Sequence, residues 1–109
     1  MPNIDLQNRK KPLAYDPTRK KFILYDDIVS GKEKIIPIDI LSEPDLKMLI
    51  IERQKTGPDY TVQAISGVSM TRNDVIRAIE QDEPFGQMTL QAEKSHLRDL
   101  QHEIRRNLP

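Results

Sequence analysis

The side chains that most often carry catalysis or bind metal are sparse in this chain, and they are spaced badly for either task. His96 and His102 lie six residues apart, about 240° around a helix, so they cannot share a metal as an i, i+4 pair does. The chain has no cysteine, which removes disulfides, thiolate chemistry and cysteine-based zinc sites together. Carboxylates pair at Asp26-Asp27 and gather at Glu80, Asp82 and Glu83. Acid–base catalysis needs two carboxylates converging on a pocket with separated proton affinities. Neighbours on a strand point to opposite faces, and a helix end is solvated, so both groups read as surface. The segment Ser66-Gly67-Val68-Ser69-Met70-Thr71 joins an expected strand to a helix start, where backbone amides can hold an anion. It lacks the glycines and lysine of a phosphate loop and the paired glycines of a nucleophile elbow. A turn followed by an N-cap accounts for it. The expectation is a non-enzyme with no cofactor, no metal and no small-molecule substrate.

Two basic runs, Arg9-Lys10-Lys11 and Arg19-Lys20-Lys21, form one patch if the chain between them folds back. Such a patch binds phosphate backbones through counterion release. The chain as a whole carries 17 basic and 17 acidic groups, so no net field steers it toward nucleic acid or anionic lipid. The charge is zoned instead. Residues 1–24 hold six basic and two acidic groups, 25–83 hold seven and twelve, and 84–109 hold four and three. Nucleic-acid contact by the six basic residues of the two runs is therefore the alternative function, as a DNA-binding regulator using the arm and first hairpin.

The elements that would position these groups can be read from local signals. Residues 1–11 read as a flexible basic arm, and 12–109 as one α+β domain, a normal size for a single core. Leu13 to Tyr15 and Phe22 to Tyr25 flank the turn-forming Asp16-Pro17-Thr18 and predict a first hairpin. Ser30-Gly31-Lys32 predicts a turn, and Ile36, Ile38 and Ile40 alternate as in a half-buried strand with Pro37 at its edge. Ser42, Pro44 and Asp45 announce a helix that Thr56-Gly57-Pro58 should stop. A strand over 60–65 follows, then a helix capped by Thr71 with Asp74 three residues on. Pro84 breaks it and opens a C-terminal helix over 85–107. The fold expected is a small, mostly antiparallel sheet of three or four strands with one packed helix, followed by an αα-hairpin that ends in the long amphipathic helix.

On that last helix Leu90, Leu97 and Ile104 recur every seven residues and Leu100 fills a neighbouring position, a seam about 80° wide. A helix of this kind gains most of its stability from packing, so the seam must be covered by its own domain or by another chain. The second option makes these four residues the partner-binding surface of a protein-interaction, assembly or regulatory module, as an oligomer or with a different protein. Two resemblances bear on the alternative. Ser69-Met70-Thr71-Arg72-Asn73-Asp74-Val75-Ile76-Arg77-Ala78-Ile79 is similar to the second helix of ribbon-helix-helix repressors, although that family sets its two helices nearly contiguous. Tyr15-Asp16, Phe22-Ile23, Asp27-Ile28, Gly31, Asp39 and then residues 46–52 resemble the N-terminal domain of polyhydroxyalkanoate-synthesis repressors, without that family's basic Asn-Arg-Arg-Leu lead-in. No binding residue is carried over from either. No apolar stretch approaches the roughly 20 residues of a membrane span and the N-terminus lacks an apolar signal segment, so the expected location is cytoplasmic.

Overall fold

Leu13 to Ile23 fold back because Asp16 organises its own turn. Its carboxylate accepts hydrogen bonds from the backbone of Thr18 (2.9 Å) and Arg19 (3.3 Å), an Asx turn that needs no distant help. β1 (Ala14–Asp16) and β2 (Lys21–Ile23) pair antiparallel with Ala14 opposite Ile23 and Tyr15 opposite Phe22. The computed structural model describes residues 9–63 and 67–108. The expected basic arm thus lies outside the described residues apart from Arg9, Lys10 and Lys11.

Past Ile23 the chain departs from expectation. Tyr25 does not extend the strand but opens a short helix, α1 (Tyr25–Val29), with Asp26 and Asp27 in its first turn. Those carboxylates sit well at the positive end of a helix, and Tyr25 and Ile28, three residues apart, turn inward together. Gly31 then takes φ +83°, a left-handed conformation that glycine adopts at no steric cost. Ile36, Ile38 and Ile40 form no strand either. Ile38–Ile40 is a single 3-10 turn, which buries Ile38 and swings Ile40 out to 64 % exposure. Pro37 offers no ladder donor, and the Ile38 amide donates instead to Gln101 (3.0 Å).

The helices with clear end signals stand where the sequence predicts them. α2 (Glu43–Thr56) is capped by Ser42, whose hydroxyl accepts from the Asp45 amide, and closes at Gly57. It buries Leu46, Leu49, Ile50 and Arg53. β3 (Thr61–Gln63) and β4 (Ser69–Thr71) pair antiparallel, Val62 opposite Met70. α3 (Arg72–Glu80) starts on a full capping box between Thr71 and Asp74, and α4 (Pro84–Asn107) is closed by Leu108 in extended conformation. Among the described residues the strands make two separate two-stranded antiparallel ribbons, not the single sheet of three or four strands that alternation suggested. The fold is α+β, with a long terminal helix.

One apolar cluster joins the first ribbon to the helices, with Leu13, Ile23, Ile38, Leu49, Ile50, Ile79, Leu90, Leu97 and Ile104 all inside it. The turn between α3 and α4 holds their angle. Asp82 adopts φ +57°, the Glu83 amide reaches back to the Ala78 carbonyl (3.0 Å), and Asp82 receives Lys47 from α2 and the Gln87 amide group (2.8 Å) from α4.

Candidate functional site

The aliphatic seam of α4 is not a surface that the folded chain offers. Leu90, Leu97 and Ile104 are each at most 1 % exposed and Leu100 is half-buried against the same cluster. What covers them is this chain's own α2, α3 and 3-10 turn, with the first ribbon in the same apolar cluster. The face of α4 turned to solvent carries Met88, Gln91, Ser95, His96, Asp99, His102, Glu103 and Arg106 instead. The expected partner surface at Leu90, Leu97, Leu100 and Ile104 is therefore corrected: the heptad spacing served intramolecular packing.

Acidic side chains neutralise one residue of the first basic run and two of the second. Arg9 donates to Asp26 (3.0 Å) and lies over the Tyr25 ring, 5.6 Å from its centroid. Arg19 grips Glu33 with both terminal nitrogens and Asp16 with Nε (2.7 Å), and Lys21 joins the same Glu33 at 2.9 Å. Lys10 and Lys20 are exposed, Lys11 is half-buried, and none of the three forms an ion pair among the described residues. A phosphate backbone would have to displace Glu33 from Arg19 and Lys21 before either could contribute counterion release.

That cluster makes a pH-dependent clasp. Glu33 is 7 % exposed at its side chain, and hydrogen bonds from Arg19 and then Lys21 pull its pKa from 4.5 down to about 2. A folded value below the unfolded one stabilises the fold fully above pH 4.5, and the contribution is lost as pH falls from there toward 2. Glu33→Gln should be less stable than the parent at neutral pH, with the gap closing across that acid window in urea midpoints. A gap that does not change with pH would assign the loss to packing, not to the carboxylate.

None of the perturbed carboxylates is poised to move a proton. Asp16 is held low chiefly by Arg19, Asp39 chiefly by Arg98, and Asp74 by the backbone and hydroxyl of Thr71. Each is thereby fixed in its charged form, the opposite of a general acid tuned toward neutrality. Among the described residues, no three His, Cys, Asp or Glu side chains come together to hold a metal, and no helix is long and apolar enough to cross a membrane.

The feature left over is the second ribbon. Every residue of β3 is exposed, as are Ser69 and Thr71 of β4, and Val68 beside it is 59 % exposed. Beneath the ribbon a cleft of about 300 Å³ is lined by Lys11, Gln54, Tyr60, Val62, Phe85 and Glu93 among others. Tyr60 donates its hydroxyl to Gln54, and burial, then the nearby Glu93 charge, raises the Tyr60 pKa. The ribbon's base is anchored: Arg72 donates its amide to the Tyr60 carbonyl (3.1 Å) and its guanidinium to the Gly57 carbonyl (2.9 Å).

Reading β4 as a turn and cap missed this ribbon, yet a signal was present. Residues 60–71 contain no charged side chain, the longest such run in a chain that is 31 % charged. Thr61-Val62-Gln63 and Ser69-Met70-Thr71 bracket Gly67 within it, a hairpin pattern. No protein-family model, curated protein or solved structure matches the chain.

Proposed function

We propose that this chain is a non-enzymatic protein-interaction module whose contact element is the β3–β4 ribbon, displayed on a domain that consumes its own terminal seam. The observation that carries this reading is an exposed, charge-free edge. Folded proteins blunt edge strands with lysine, proline, bulges or short length, because unpaired N–H and C=O groups template pairing with another chain. Here shortness is the guard, and Val62 and Val68 add exposed apolar surface. A two-stranded ribbon is marginal by itself in water, so a partner strand or a partner's side chains would gain both hydrogen bonds and burial. The nucleic-acid alternative draws on Lys10, Lys11 and Lys20, with Arg9, Arg19 and Lys21 already occupied.

Affinity isolation of the full chain tests this. A Val62→Lys, Val68→Lys double variant should lose a specific partner by about tenfold or more, the scale of losing one interface anchor. An Asp99→Lys, Glu103→Lys variant on the solvent face of α4 should retain it. Equal recovery on parent and ribbon variant, or loss only on the helix variant, would overturn the ribbon as contact element.

A further inference from the structure

Antiparallel pairing fixes which backbone groups of the ribbon remain to be bonded. Arg72 donates to Tyr60 across the ladder, and the register sets Thr61 opposite Thr71, Val62 opposite Met70 and Gln63 opposite Ser69. Hydrogen-bonded and non-bonded pairs alternate, so the Tyr60 and Val62 pairs bond inward. The N–H and C=O of Thr61 and Gln63 on one edge, and of Ser69 and Thr71 on the other, then face outward. The Thr71 amide confirms the phase, because it leaves the ladder to donate to the Asp74 carboxylate (2.9 Å). The two edges are thus unequal. β4 has spent a donor on its helix cap, whereas β3 keeps two donors and two acceptors with no partner among the described residues.

We propose that β3 pairs through this outer edge with β3 of a second copy, antiparallel about Val62, joining two ribbons into one four-stranded sheet. The proposal rests on the ribbon being the contact element, and it names the occupant. Self-complementarity is the argument. With Val62 on a two-fold axis, Thr61 of each copy faces Gln63 of the other, and all four outward groups on each strand are bonded. Val62 meets Val62 as a non-bonded cross-strand pair, where side chains come closest and β-branched residues pack well. An isologous contact of this kind closes on itself as a dimer. Charge permits it too. Residues 60–71 carry none and the chain's net charge is zero, so two copies meet without the repulsion that a charged edge imposes.

Sedimentation equilibrium of the purified full chain is the test. The mass should rise from 12.6 kDa toward twice that value with concentration, and the Thr61 and Gln63 amides should gain exchange protection in step. Thr61→Pro removes one outward donor per copy at an edge position that tolerates proline, and it should weaken association at least tenfold with the unfolding midpoint little changed. Val62→Lys places like charges on the axis and should weaken it more, with partial recovery at high salt. A mass that stays at one chain up to millimolar concentration overturns the pairing. So does association that both variants leave intact. If the chain alone is monomeric while a different protein protects Thr61 and Gln63, self-pairing falls and the ribbon reading stands.

Discussion

Gly86→Ala is expected to destabilise the domain severely. Gly86 lies in the first turn of α4 where that helix crosses α3. A Cβ there would sit 2.1 Å from the Ala78 carbonyl oxygen, 2.3 Å from its carbon and 2.5 Å from the Ile79 nitrogen. All three are backbone atoms of a packed helix and cannot rotate away. Relief requires α3 and α4 to separate, which opens the contacts of Val75, Ala78, Ile79 and Leu90 in the core. Alanine is the better helix former by about 1 kcal/mol, but overpacking a close contact costs about 1–3 kcal/mol even when side chains can yield. Against backbone the larger figure is the floor. Less the alanine gain, a net loss of at least about 2 kcal/mol remains, a large part of the roughly 5–15 kcal/mol that holds a domain together. Urea unfolding measures it, and Gly57→Ala is the control. There the new Cβ meets the Lys11 Cε at 2.8 Å, the end of a flexible chain that can move aside, and backbone only at the Arg53 carbonyl oxygen, 3.3 Å away. A Gly86→Ala protein as stable as the parent would mean that the helix crossing is looser than described.

Gln101→Leu is the second large effect. Gln101 lies on α4, 4 % exposed, and its one amide group serves three backbone partners. Nε2 donates to the carbonyls of Leu13 (2.9 Å) and Ile36 (3.2 Å), and Oε1 accepts from the Ile38 amide (3.0 Å). This side chain therefore ties the entry to the first ribbon, and the segment that failed to become a strand, to the terminal helix. Leucine fills a similar volume and leaves those groups buried without partners, at about 1–3 kcal/mol each. A loss of at least about 3 kcal/mol is expected, with the Ile38 amide among the first to gain exchange rate. Unchanged stability and unchanged Ile38 protection would show that water replaces the amide at little cost. Arg53 does related work from α2. It is 2 % exposed, donates to the Pro12 carbonyl (2.9 Å) and approaches Glu93 of α4 at 3.6 Å.

These buried polar ties explain why the sequence was legible in some places and not in others. Helix ends are set by atoms within four residues of one another. Ser42 with Asp45, Thr71 with Asp74 and the stop at Gly57 could all be read directly. The long helix and its inward stripe followed from periodicity alone. Alternation at Ile36, Ile38 and Ile40 misled, because alternation states only that every second residue wants burial. A strand also needs a neighbour's edge, and among the described residues none pairs with this segment. The strand Ser69–Thr71 is hard to read because three uncharged residues carry little pattern of their own.

By itself the sequence determined an α+β chain without thiols, the capped starts of α2 and α3, the extent of α4 and its inward stripe, but not the burial of Arg53 and Gln101 or the exposure of Ile40. Tertiary structure alone decided what buries them: that the Leu90, Leu97 and Ile104 ridge is covered by its own domain, that Arg19 and Lys21 are spent on Glu33, and that β3 is left with an open edge. The physical reason is range. Caps and helical periods act over a turn or two of chain. The partners of Gln101 lie 63, 65 and 88 residues away, and only the folded arrangement brings them within a hydrogen bond.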